Sequence, residues 1–458
     1  MTRQKYVWLL LCLLLTIGLA AGCGGNNGNG GAAGNGGGAE NGGAGGGNGN
    51  GEQAPEDISG EITVLTQRTD IVDAVFREQY VPRFNEKYPN ITVNFEAITD
   101  YEGQVKIRMN TQDYGDVLLI PNAVLPQDLP TFFEPLGSVE ELSEKYLFVD
   151  ERQYDGTSYG IPITVNANGI VYNRKVFEEA GVTDLPMTPD AFLDAMRAIK
   201  DNTDAVPLYT NYAAGWPLTQ WEPSRTAIAG DPEFVNYELV RDPEPFQREK
   251  PHGVIYGLMY DLASEGLIES DPTTTDWETS KTMMANGEIG AMVLGSWAIT
   301  QIQEQAEDPA DIAYMPFPYT SEDGTIYSTS GGDYKQAVNV NSDNKEAALA
   351  WLYWFADESG YATAEGGISP LKGEPMPDTL ASFDELGVEL ISEKPASEGE
   401  IGWIDQIDQQ SEVGLLQPNF KQRLIEAAIG NRNESLEEIF ADLNERWGQA
   451  VQEVTGGS

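Results

Sequence analysis

From residue 61 onward the chain alternates short stretches of two-residue apolar period with longer stretches of near-four period. Glu61-Ile-Thr-Val-Leu-Thr66 reads as a strand, and Ile91, Val93 and Phe95 alternate with Thr92, Asn94 and Glu96 as a second. Between them Phe76, Tyr80, Phe84 and Tyr88 fall on one face of a helix, which Pro82 should kink or break. The unit is βαβ. Val117-Leu-Leu-Ile120, bounded by Gly115-Asp116 and Pro121, reads as a third strand covered on both faces.

Further along, Thr188-Pro189-Asp190 combines a capping hydroxyl, a proline for the first turn and an acid suited to the helix dipole. Phe192, Ala195, Met196 and Ile199 then give that helix one apolar face. A helix is predicted from about Ser342, as its cap, to Asp357. Another is predicted from about Ser435, with Leu436, Ile439, Phe440, Leu443, Trp447 and Val451 inward. The Pro- and Gly-rich stretches 214–253 and 366–378 read as surface loops, and Gly331-Gly332-Asp333 as a turn. No fixed-period repeat is present.

The N-terminus is of another kind. Arg3 and Lys5 precede an apolar run from Val7 to Ala21 that is short for a bilayer span, and small residues lead to Cys23. Residues 1–22 are therefore an export signal. Leu19-Ala20-Ala21-Gly22-Cys23 resembles a bacterial lipobox, although Ala20 occupies the place where leucine is preferred. The resemblance implies cleavage before Cys23 and lipidation of its thiol. Residues 24–51 are almost wholly Gly, Asn and Ala and offer nothing large to bury, so 23–56 reads as a lipidated flexible tether. A coil of that length reaches roughly 30 Å.

Residues 57–458 exceed what one hydrophobic core supports, so two lobes are expected. Cys12 lies in the signal and Cys23 would carry the lipid, which would leave no thiol for a disulfide or a thiolate metal site. With 73 acidic against 27 basic residues the formal charge is −46, a field that repels nucleic acid and anionic membranes. The long tether and the acidity favour a Gram-positive surface.

Catalytic signatures are scarce. The single histidine, His252, lies in a Pro-His-Gly segment without partners for a triad, and no nucleophile elbow, H-E-x-x-H or phosphate loop is present. Asp201-Asn-Thr-Asp204 and Ser342-Asp-Asn344 lack the twelve-residue calcium loop, so no metal site is assigned. A carboxylate pair for glycoside hydrolysis could be drawn from so many acids, but none stands out by spacing. Aromatic residues say more. Tyr209, Tyr212, Trp216 and Trp221 cluster without helical or strand period, and Trp297 follows Gly295-Ser296. Flat rings beside amides and hydroxyls suit sugars, whose faces carry C–H groups.

Tyr159-Gly-Ile-Pro-Ile-Thr-Val-Asn-Ala-Asn-Gly-Ile-Val-Tyr-Asn-Arg-Lys-Val-Phe177 and Met283-Met-Ala-Asn-Gly-Glu-Ile-Gly-Ala-Met-Val-Leu-Gly-Ser-Trp297 resemble two signatures of the family 1 extracellular solute-binding proteins. Asn341-Ser-Asp-Asn-Lys-Glu-Ala-Ala348 and Gly366-Gly-Ile-Ser-Pro370 resemble later ones, so the likeness extends over residues 60 to 455. It implies an α/β fold of type II, similar to maltose-binding protein, with two lobes and a ligand cleft between them. Lobe I would comprise 57–165 and 315–369, and lobe II 166–314 and 370–458. It further implies a monomeric, lipid-anchored component of an ABC importer on the extracellular side of the membrane. That component would capture a sugar by hinge closure and hand it to permease subunits, with no cofactor and no catalysis. Trp297 would stack on the sugar, and Asn166 stands where maltose-binding protein has a ligand-contacting glutamate. Arg68, Asp70 and Tyr101 lie at strand ends expected to face the cleft, and Tyr212, Trp216 and Trp221 complete the candidate contacts. The alternatives are a lipid-anchored glycoside hydrolase or lyase, and a sensor lipoprotein that delivers ligand to a receptor.

Overall fold

The alternating and continuous apolar runs become two large sheets, beside a small three-stranded one; one core packs on the first and two on the second. The computed structural model describes residues 54–99 and 101–456, so the export signal, Cys23 and the tether lie outside it. The first sheet has the order Ile91–Ala97, Gly60–Thr66, Val117–Leu119, Lys335–Val338, Ile161–Pro162. Its first three strands are parallel, as the βαβ pattern requires, and the last two run antiparallel to their neighbours. Val117, Leu118 and Leu119 are all buried, which explains why that strand shows no alternation.

Pro82 does not end the helix. Val72–Tyr80 is wound as a π-helix and passes directly into the α-helix Val81–Lys87, with Pro82 just after the junction. Phe76, Tyr80 and Phe84 still face one core.

The second sheet is organised around the long strand Val165–Asn173. Residues 165–167 pair with Tyr327–Gly332 on one edge, and 169–173 pair with Ile312–Pro316 on that same course. Ile289–Gly295 lies along the other edge and is followed by Val206–Leu208. Both Ile312–Pro316 and Tyr327–Gly332 therefore belong to the second lobe. The passage anticipated near residue 315 falls instead at Asp333–Tyr334, because the backbone keeps pairing with Val165–Asn173 until Gly332.

Three passages of chain between the lobes are tied to one another. Ile163 N donates to Tyr334 O and Asp333 N to Thr164 O, each at 2.9 Å, while Val165 and Ile368 exchange both backbone bonds at 2.9 and 3.0 Å. Gly366-Gly367 is thus part of the hinge and not a surface loop. A Cβ on Gly367 would stand 2.2 Å from Thr164 Oγ1, so only glycine lets the two passages lie this close.

The helix caps follow their local chemistry. Thr188 accepts from Ala191 N at 3.2 Å ahead of Pro189–Asn202, and Ser435 with Glu438 forms a capping box on Leu436–Thr455. Ser342 lies too early to cap its helix, which begins after Asn344 as Lys345–Glu358. The stretch 214–253 is not a simple surface loop either. It holds a 3-10 helix, Trp216–Trp221, the short helix Ser224–Ala229, a π-turn and the start of Pro251–Ser264, and it buries Glu222, Arg225 and His252.

Candidate functional site

A cavity of about 350 Å³ opens where the hinge meets the second sheet, within the range of roughly 300–1,000 Å³ typical of small-molecule sites. Its floor is a pair of antiparallel strands: Asn166, Ala167 and Asn168 on one, Thr329 to Gly332 on the other. Gln220 and Pro223 close one side, Trp297 another, and Glu151, Asp333 and Glu393 bring carboxylates to the rim.

Trp297 is held there by the turn that ends Ile289–Gly295. Ser296 N donates to Ala167 O at 2.9 Å, and Ala167 N donates back to Ser296 Oγ at 3.0 Å. The same hydroxyl reaches Asn166 Oδ1 at 3.4 Å, so this one serine fixes the indole beside the amide. Trp297 is the last residue before a short helix, Ala298–Gln303. Its ring lies 5.7 Å from Trp216 and 5.8 Å from Trp277, and Trp216 is 38% exposed. Three indoles in mutual contact thus extend from the cavity wall to solvent.

The polar groups of the floor are fixed in advance of any ligand. Asn168 donates to Gln220 O at 2.9 Å and accepts from Ser224 Oγ at 2.8 Å. Thr329 Oγ1 donates to Pro223 O at 2.6 Å. Glu151 accepts from Gly332 N at 3.2 Å and is paired with Lys335. Burial pushes the Glu151 carboxyl up, and Lys335 pulls it only part of the way back.

Residues 66–362 match the family model described as bacterial extracellular solute-binding protein. The chain belongs to that family. A solute-binding protein of an ABC transporter from Bifidobacterium animalis subsp. lactis, solved in complex with mannobiose, is 36% identical over 88% of this chain and 96% of its own, with a TM-score of 0.81. The multiple sugar-binding protein of Streptococcus mutans is 22% identical over 73% of this chain and 83% of its own length. The apo form of RafE from Streptococcus pneumoniae, 19% identical with a TM-score of 0.62 over 87% of this chain and 99% of its own, shares the two-lobe fold. As a member of this family the protein is a binding component rather than an enzyme.

In this solute-binding protein the anticipated contact residues divide into three groups. Trp297 and Asn166 line the cavity, and Trp216 adjoins it through the indole cluster. Arg68 and Asp70 form a bidentate pair at 2.8 and 2.9 Å, and Arg68 also reaches Tyr361 at 3.0 Å and Glu365. Burial opposes that charge, but the bonds to Asp70 and Glu365 outweigh it and hold the guanidinium above its ordinary value. Neither residue is on the cavity wall.

Tyr101, Tyr212 and Trp221 serve the fold. The Tyr101 hydroxyl donates to Leu119 O at 3.1 Å and accepts from Leu119 N at 2.7 Å, which splices a helix to a strand and leaves the ring 4% exposed. Trp221 is 2% exposed and packs edge-on to Phe317 in the second lobe. Tyr212 donates to Glu426 at 2.6 Å; burial, then that bond, pushes its hydroxyl up to about 12.

Beneath the cavity lies a buried polar network that sequence reasoning missed. Glu222 accepts from Arg225 at 2.6 Å, pairs with His252 Nε2 at 2.8 Å and accepts from Tyr256. His252, read as a loop residue, sits inside Pro251–Ser264 with no exposure. Burial opposes the Glu222 charge, yet His252 and Arg225 hold it well below the usual carboxylate range. Arg225 continues to Glu393, which ties this network to the cavity rim.

Proposed function

We propose that the protein captures a short neutral oligosaccharide between its lobes and presents it to an ABC permease. The observation that carries this is the cavity itself: one indole, three amides and two hydroxyls brought together by the fold, with no cationic side chain on the wall. An indole face complements the C–H face of a sugar ring while the amides and hydroxyls orient its rim. The 36% identical relative was solved with mannobiose, and a second structure of the same identity with mannotriose, which supports a ligand of two or three units.

Binding is coupled to closure. Ligand that touches both lobes favours the closed form by the difference in its affinity for the two forms, and the three tied passages are where the bend falls. The permease then reads the closed form. Cys23 anchors the protein on the outer side of the cell membrane, and the Gly/Asn tether gives it reach.

Thermal-shift screening of a neutral saccharide panel containing mannobiose and mannotriose tests this. A ligand at 100 times its dissociation constant adds about 2.7 kcal/mol of stability and raises Tm. A panel that leaves Tm unmoved, or reducing ends released on incubation, contradicts the reading.

A further inference from the structure

The cavity wall is chemically one-sided. Three carboxylates reach it, from Glu151, Asp333 and Glu393, and no lysine, arginine or histidine does. Two of the three are matched from outside. Lys335, 8% exposed, pairs with Glu151 and donates to Gly332 O at 2.6 Å. Arg225, also 8% exposed, divides itself between Glu222 and Glu393 at 2.6 and 3.1 Å.

Asp333 is different. Its Oδ1 accepts from Tyr334 N at 2.8 Å, and among the described residues no cation pairs with it and no protein donor reaches its Oδ2. It also sits in the hinge, where its own N–H is bonded to Thr164 O at 2.9 Å, so the carboxylate is fixed where the lobes meet.

We infer that this site, read as a carbohydrate site, discriminates by charge: it accepts neutral saccharides and rejects uronates and other acidic ones, and Asp333 sets that preference. A carboxylate with a free oxygen accepts bonds from ligand hydroxyls, which are stronger than those between neutral groups. A ligand carboxylate in the same place supplies no donor and meets a like charge as water leaves the cavity. The chain's formal charge of −46 adds to the repulsion at longer range, subject to screening by salt.

Calorimetric titration of the purified protein at pH 7 with mannobiose, and with the same disaccharide oxidised to a carboxylate at one C6, tests this. The oxidised sugar binds at least about a hundredfold more weakly, the order of penalty that like charges impose across an interface. Asp333→Asn, which keeps the shape and the Tyr334 bond, narrows that ratio by about tenfold or more, and Asp333→Ser narrows it too. Wild-type affinities within about threefold of each other, or a ratio unchanged in both folded variants, overturn the inference. Heat from neither disaccharide in the wild type, nor from any sugar of the neutral panel, overturns the carbohydrate reading itself.

Discussion

A Cβ built on Gly295 would stand 2.6 Å from both Cδ1 and Nε1 of Trp297, so the indole lies directly over the backbone two residues before it. The glycine is what leaves room for the ring at the cavity wall. Gly295→Ala leaves the backbone conformation allowed but pushes the indole away. Saccharide affinity is expected to fall by about tenfold, consistent with the 1–3 kcal/mol of overpacking. Titration of the variant beside a melting curve checks this; unchanged affinity contradicts it.

Trp297 and Trp221 separate binding from folding. Trp297→Ala removes a partly buried ring that lines the cavity and should weaken saccharide binding by about 1–3 kcal/mol, with a smaller loss of stability than at the fully buried Trp221. Trp221→Ala opens a cavity under the second sheet and should cost about 3–5 kcal/mol of stability while the surviving folded protein binds normally. Paired calorimetry and denaturant unfolding of the two variants distinguish these roles. A reversal of the two effects would exchange their assignments.

At the hinge, Gly367 and Thr164 cannot both carry full side chains. Gly367→Ala places its methyl 2.2 Å from Thr164 Oγ1, which should separate the passages and lower stability by about 1–3 kcal/mol. Thr164→Ala in the same chain removes that oxygen and should recover part of the loss. Denaturant midpoints of the single and double variants form a cycle; strict additivity would show that the two residues do not meet.

Lys421 gives a pH signature. It is fully buried and donates to Leu415 O at 2.6 Å and Gln417 O at 3.0 Å, and burial pulls its ammonium down to about 8 despite the attraction of Glu222 and Asp408. The unfolded chain keeps an ordinary lysine near 10.4, so between the two values the unfolded state holds more protons and stability rises with pH. The contribution is present above the unfolded value and lost as pH falls through about 8. Lys421→Met removes this dependence. The difference in unfolding free energy between wild type and variant, followed from pH 8 to 10.5, should grow in favour of the wild type by up to a few kcal/mol; a flat difference would contradict the buried ammonium.

What the sequence revealed and what it hid follow from the range of the interactions. The strands at 60–66 and 91–97 and the caps at Thr188 and Ser435 were legible because side-chain period and capping are local chemistry. The strand-end position of Tyr101 points to the cleft but says nothing of the Leu119 backbone that claims its hydroxyl. Gly331-Gly332-Asp333 read as a turn because two glycines beside an acid usually form one; only pairing with residues 165–167 reveals a strand end. The segment 214–253 was opaque for a related reason. Its 3-10 and π turns are too short to show a period, and its buried ion network joins residues from Glu222 to Lys421.

Capture of an intact neutral sugar at the Trp297 wall is the step on which the proposed transport role depends. Calorimetric titration of wild type and Trp297→Ala with mannotriose, followed by chromatography of the recovered sugar, tests it most directly. One site per chain, affinity at least about fivefold weaker in the variant, and mannotriose returned unchanged are expected. Equal affinities in the two proteins, or shorter sugars in the eluate, would contradict it.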